Sequence, residues 1–200
     1  MNLIARAKAI LLHPREEWQI ITEESTNIQN LYKEYIMILA GIGPIASIIG
    51  MSIVGISLPF VGSFRVPLTT SIASSVVNYL MTLAGVYVFA LIIDALAPTF
   101  SGEKKFGQAF KLATYSSTAA WIAGIFTIIP AMSVLGILGC YSLFLLYTGL
   151  PILMKVPKEK ALGYTITVVI AAIIIFMIIG AVSHTFISYP VPNMPVPNIR

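Results

Sequence analysis

Acid–base and nucleophilic chemistry in this 200-residue chain has little to draw on: eight carboxylates, two histidines and one cysteine. They are densest at His13-Pro14-Arg15-Glu16-Glu17, where two adjacent glutamates follow a histidine. Paired carboxylates can share general acid–base work or hold a metal, but both uses need partners nearby. Trp18-Gln19-Ile20 follows the pair, not the arginine and histidine-bearing spans that a Glu-Glu intramembrane protease carries. The other histidine, His184, is far along the chain, and Cys140 lies in an apolar run. Two distant histidines and a remote thiol make no tetrahedral centre. The pattern therefore predicts no catalytic residues, no metal and no cofactor.

The elements that surround these residues are built for lipid. Hydrophobic residues make up 58% of the chain and charged residues 10%, against about 25% charged in soluble domains. Apolar runs at 36–57, 70–96, 112–129, 134–154 and 164–187 each come near the ~20 residues that cross a bilayer as a helix. Helix is the expected state, because hydrocarbon satisfies no open backbone groups. The expected fold is thus all-α and polytopic: an amphipathic segment at 1–34, a five-helix domain at 35–188 and a Pro-rich tail at 189–200. Pro130 should turn the third run into the fourth. Ten of the twelve basic residues fall before the first run or in the loops after the second and fourth; Arg65 and Arg200 fall on the other side. The positive-inside rule then places the N-terminus in the cytoplasm and the C-terminus outside, in a cell membrane. The net charge of +4 reads as this topology signal, and nucleic acid is not an expected partner. The N-terminus lacks the uninterrupted apolar core of a cleavable signal, since Arg6 and Lys8 break it.

Residues 2–12 gather Leu3, Ala7, Ile10 and Leu11 on one side, with Arg6 and Lys8 placed to reach lipid phosphates, as in an interfacial helix. Pro14 suits the first turn of a second helix, and Glu16 and Glu17 suit its positive end. Trp18 is then expected at the headgroup level or against the cytoplasmic ends of the spans. Trp18, Arg6, Lys8 and Tyr32 form the expected membrane-interface or partner-docking set.

Small residues give the runs faces for close packing: Gly43, Ser47 and Gly50 in the first, Ser116, Ala120, Ala123 and Thr127 in the third, Gly136 and Gly139 in the fourth. The same faces offer a route to a homo-oligomer. The fifth run shows no such face and is expected at the periphery. Ser71, Ser75, Asn78, Thr82 and Gly85 share one face of the second run. With Asp94 below them they could line a polar pathway. The alternative is an interhelical hydrogen bond for Asn78, and for Asp94 an ion pair with Lys104, Lys105 or Lys111.

A tract of His13, Pro14 and Trp18 ahead of five spans resembles the bacterial and archaeal branch of the Yip1 domain family. Leu31 and Tyr32 match two positions of its Asp-Leu-Tyr-Gly-Pro motif; Asn30, Lys33 and Glu34 depart from it. Tyr115 matches the tyrosine of the Gly-Tyr motif, with Thr114 in place of the glycine. The segment LYTGLPILMKVPKEKALGYT is similar to the end of the family's fourth span and the loop that follows. The resemblance implies a plasma-membrane protein; eukaryotic members are associated with Rab GTPases and vesicle traffic. Two functions follow as expectations: a non-enzymatic membrane-organising or adaptor protein with cytoplasmic protein partners, or a channel or transporter for a small solute, ion or lipid.

Overall fold

The structure of the protein is a computed structural model. It describes residues 2–25, 27–58 and 62–186, apart from the side chains at 56–58, 62–64, 176 and 178–186. The tail at 189–200 and the His184 side chain lie outside the described residues. Helix α1 (Leu3–Leu12) starts where the Asn2 side chain accepts a hydrogen bond from the Ala5 N–H at 3.1 Å. Helix α2 (Pro14–Glu23) starts on Pro14, whose missing N–H costs nothing in a first turn, with Glu16 and Glu17 beside it. After a break, Asn27 caps helix α3 (Ile28–Val54) by accepting from the Asn30 N–H.

Helix α3 contains π turns at Tyr32–Ile36 and Ile49–Val54 and ends at Gly55, whose φ of 88° a side chain would strain. A short antiparallel hairpin follows, β1 (Ile56–Leu58) with β2 (Gly62–Phe64), in the register Ile56 to Phe64. The all-α expectation holds around this one short hairpin, which adds no sheet layer to the helical bundle. The chain must reverse between two long helices, and the freed backbone groups satisfy each other across the hairpin. Helix α4 (Leu68–Phe100) finishes in a 3-10 turn at Ala97–Phe100.

The third apolar run is not one straight helix. It forms α5 (Phe106–Ser116) and α6 (Thr118–Ala123), then 3-10 turns over Gly124–Ile128. At the break both Ser116 and Ser117 turn their hydroxyls back onto the Ala113 carbonyl, which competes with regular helix bonding. Pro130 opens α7 (Pro130–Leu153), which is 3-10 as far as Cys140 and α-helical from Tyr141. Helix α8 (Lys158–Phe186) completes the described fold. Among the described residues α3, α4 and α7 are long and apolar enough to cross a membrane, where the sequence led to an expectation of five such spans.

Burial is uneven along the bundle. One end carries the loops of Lys104, Lys105, Lys155 and Lys160. There Glu103 bridges Lys105 at 2.7 Å and Lys155 at 2.8 Å. Hydrogen bonds from these two lysines hold the Glu103 carboxyl below its ordinary pKa. At this basic end every residue from Ala109 to Ser116 is buried, as are Leu145, Leu146 and Leu150 of α7. Toward the opposite end no residue of Pro130–Cys140 is buried, and Leu68, Val76, Leu80, Val134 and Ile137 are exposed. Apolar exposure on that scale fits hydrocarbon as the solvent. Helix α8 does have an inward face, Ala161, Tyr164, Thr165, Val168 and Ala172. The fifth run thus has an inward face that its nearly uniform apolar sequence did not mark, while much of its surface is exposed, as expected of a peripheral helix. Its other side, with Leu162, Ile166, Ile170 and Ile173, is exposed.

Away from the basic end, α3 is held close by backbone approach. A Cβ on Gly50 would lie 2.1 Å from the Thr127 carbonyl oxygen, and one on Gly124 would lie 2.9 Å from the Gly43 Cα. Nothing lies within 4 Å of a Cβ at Gly136. Gly50→Ala should therefore cost about 1–3 kcal/mol through forced separation of the backbones. Gly136→Ala should leave the unfolding midpoint in a detergent titration unchanged.

Candidate functional site

The N-terminal helices pack on the flank of the bundle at its basic end. Trp18 is fully buried. Its indole sits where α7 has no side chain: a Cβ on Gly149 would come within 2.8 Å of the Trp18 ring and 2.5 Å of Leu112. The Trp18 Nε1–H donates to Thr148 Oγ1 at 3.3 Å. Tyr115 meets Trp18 edge-on at 6.4 Å between centroids and Tyr35 at 4.9 Å. The Tyr35 hydroxyl shares a hydrogen bond with Thr118 Oγ1 at 2.8 Å. Aromatic pairs of this geometry add about 0.5–1.5 kcal/mol each beyond area burial.

Charge closes the same contact. The Arg6 guanidinium on α1 pairs with both Glu17 and Glu24 and lies 5.8 Å from the Tyr115 ring centroid. Burial pushes its pKa down, but the hydrogen bond to Glu24 and the charges of Glu24 and Glu17 outweigh that and raise it. Lys111 is buried on α5, and its Nζ donates to the Ile21 carbonyl at 2.8 Å and to the Glu24 carbonyl. A cation here satisfies the open carbonyls at the end of α2 and its negative dipole. Gln108 adds a bond from Nε2 to the Thr22 carbonyl at 3.0 Å.

Trp18 lies at the second of its two expected places, against the end of a span, in the notch that Gly149 opens on α7. One placement expected for the interface set is corrected. Arg6 does not reach toward lipid phosphates, because two glutamates of the cap hold it. Lys8 is exposed. Tyr32 is half-buried, and its hydroxyl donates to the Leu83 carbonyl at 3.0 Å. The apolar side of α1 packs inward through Ala7 and Ile10, with Leu3 and Leu11 against the core. His13 and Pro14 form the corner between α1 and α2.

The polar face of α4 does not form one continuous path. Ser71 and Ser75 are buried, and Ser71 Oγ accepts from Ser52 of α3 at 2.7 Å. Asn78 and Thr82 instead line a pocket of about 410 Å³ with Ser116, Ser117 and Ser142. The Asn78 side chain makes no hydrogen bond among the described residues, so the expected interhelical bond is not formed. Val86 also lines the pocket, and beyond it Ala90 and Ile93 are buried. Asp94 lies beyond them, buried, with its Oδ1 unpartnered. None of the lysines expected for Asp94 reaches it: among the described residues Lys105 pairs with Glu103, Lys111 serves α2, and Lys104 is exposed. The adjacent Ile93 carbonyl takes the Tyr164 hydroxyl.

The model of the Yip1 domain matches residues 8–179. The chain belongs to the Yip1 domain family. It is 24% identical over 175 residues to the Inner membrane protein YohC of Escherichia coli strain K12, covering 86% of this chain and 90% of the relative. The YohC of Escherichia coli O6:H1 strain CFT073 matches to the same extent. No solved structure matches. The Yip1-type marks Trp18, Tyr115 and Tyr32 all point into the docking of the N-terminal segment onto the bundle. Leu31 sits at its edge, lining a pocket of about 190 Å³ with Glu24, Glu34 and Lys111.

Sequence reasoning missed Lys111, Tyr35, Thr118 and Gly149 as parts of this site. The one available signal was a lysine four residues before Tyr115, which places both on one helix face. Trp18→Ala should cost about 3–5 kcal/mol and open α1–α2 to protease. Arg6→Met should cost a similar 3–5 kcal/mol because it strands Glu17, which is 8% exposed. Adding Glu17→Gln should recover part of that loss. Native unfolding and proteolysis profiles in either single variant would remove the cap from the core.

Proposed function

We propose that this integral membrane protein is a non-enzymatic membrane-organising or adaptor protein of the plasma membrane. Its α1–α2 cap and basic loops form the working cytoplasmic face. The observation that carries the reading is closure of the basic end. Trp18, Tyr35 and Tyr115 are buried there and fill the space between the helices. In this reading the chain crosses five times. The α5–α6 segment with its 3-10 turns is the third crossing and α8 the fifth. The N-terminus is inside, as the distribution of basic residues favours. The inner-membrane designation of the YohC relatives supports the location. Exposed Lys8 and Lys104 offer the cap side to cytoplasmic proteins. Photocrosslinkers placed at Lys8 and Lys104 in native cells should give discrete protein adducts that vanish when residues 1–25 are removed. Absence of adducts from both positions would sink the adaptor reading.

The pocket beside Asn78 and Thr82 favours a second reading, movement of a small solute, ion or lipid. Its hydroxyls and carboxamide sit among apolar walls formed by Phe89, Leu146 and Ala172. Flux across proteoliposomes should then fall at least about tenfold in Asn78→Leu, as loss of a polar contact to the solute requires, and should also fall in Asp94→Asn. Unchanged flux in both variants, or none in the native protein, counts against transport.

A further inference from the structure

The structure assigns a binding site for the headgroup of an anionic glycerophospholipid to the pocket between α2, α7 and the start of α8. This pocket, about 370 Å³, is lined by Arg15, Gln19, Tyr147, Thr148, Pro151 and Lys158 among others, and no acidic residue is in its lining. Arg15 and Lys158 come from different helices and converge here. Among the described residues neither makes an ion pair or a hydrogen bond. Several other basic side chains at this end are occupied: Arg6 by Glu17 and Glu24, Lys105 and Lys155 by Glu103, Lys111 by carbonyls, Lys160 by Ser101 Oγ at 2.8 Å, while exposed Lys8 and Lys104 are not among the residues that line this pocket. Two uncommitted cations facing one cavity attract a phosphodiester, and a guanidinium can bind it through two parallel hydrogen bonds.

The rest of the pocket favours a lipid over a free anion. Pro151 has no N–H, so the Tyr147 carbonyl lacks its helical donor. That leaves an acceptor for a headgroup hydroxyl beside the phosphate position. Ile152 and Ala161 make apolar walls. From the pocket an exposed apolar strip, Leu162, Ile166, Ile170 and Ile173, runs away from the basic end along α8. Its spacing keeps one face of the helix toward hydrocarbon. An acyl chain following that strip leaves its phosphate at Lys158, the first residue of α8. Basic pockets between spans on the cytoplasmic side have the character of anionic headgroup sites. The assignment rests on the topology of the adaptor reading, with α8 as a crossing that starts in the cytoplasm, and not on the adaptor role.

The test uses the full chain in a non-ionic detergent. It is titrated with short-chain phosphatidylglycerol, short-chain phosphatidylcholine and inorganic phosphate, with retained ligand read by native mass spectrometry. Phosphatidylglycerol should bind at least about tenfold more tightly than phosphatidylcholine. The double variant Arg15→Gln, Lys158→Gln should lose that preference, and Lys160→Gln should keep it. Both substituted side chains are exposed, so the fold should survive. Gln19→Trp, which fills the pocket from α2, is the second variant and should also release the lipid. Equal binding of the two lipids by the native chain overturns the assignment. So does a preference that survives both the double variant and Gln19→Trp. Displacement of phosphatidylglycerol by equimolar inorganic phosphate replaces the lipid site with a general anion site.

Discussion

The structure depends on one close approach, the Trp18 indole against the bare backbone of Gly149. Any side chain at position 149 would collide with Trp18 or with Leu112. That single missing Cβ therefore sets the spacing of α2, α5 and α7 together. Tyr115 and Tyr35 extend the contact to α5 and α3, and Thr118 ties it to α6. A helix pair that looks separable in the sequence is thus part of the core. A fully buried tryptophan contributes more apolar area than any other side chain here could. Its N–H still finds Thr148, so no buried donor is left open.

The bundle is built for two solvents. Water drives apolar burial at the basic end, where aromatic and aliphatic side chains pack as they would in a soluble domain. In hydrocarbon that force disappears, because lipid tails are as apolar as leucine. Contact between helices there comes from backbones that approach through glycine, as at Gly43–Gly124 and Gly50–Thr127. The same division explains the length of α4. Its 33 residues extend roughly 50 Å, well beyond a hydrocarbon core of about 30 Å. The helix packs along its length against α5, α3 and α8.

Electrostatics follow the packing. Inside the cap each buried cation has its partner: Arg6 has two carboxylates, and Lys111 has the carbonyl end of α2. Such groups specify how α1 and α2 dock, because an unpaired buried charge costs far more than the pair returns. Arg15 and Lys158, on the outside of the same contact, have no such partner among the described residues. Asp94 is the exception in the core, an acid beside the Tyr164–Ile93 contact with one oxygen unpartnered.

Much of this was legible in the chain. Hydropathy alone marked the long apolar elements; the one-sided Leu3, Ala7, Ile10 and Leu11 marked the first short helix, and Pro14 with the first-turn glutamates marked the second, because such signals are local. The motif residues Trp18, Tyr32 and Tyr115 were visible as the family's marks, though not as neighbours. The hairpin after Gly55, the break at Ser117 and the inward face of α8 were not legible. Each depends on backbone bonding or on sparse contacts that periodicity does not record. The sequence by itself determined that lipid is the solvent and that an amphipathic segment precedes the bundle, because composition and local spacing suffice for both. Only the tertiary structure decided that this segment is locked onto the bundle through Ala7, Ile10, Trp18 and Ile21. That outcome turns on Gly149, Leu112 and Lys111 meeting residues about a hundred positions away, and no local pattern encodes so distant a fit.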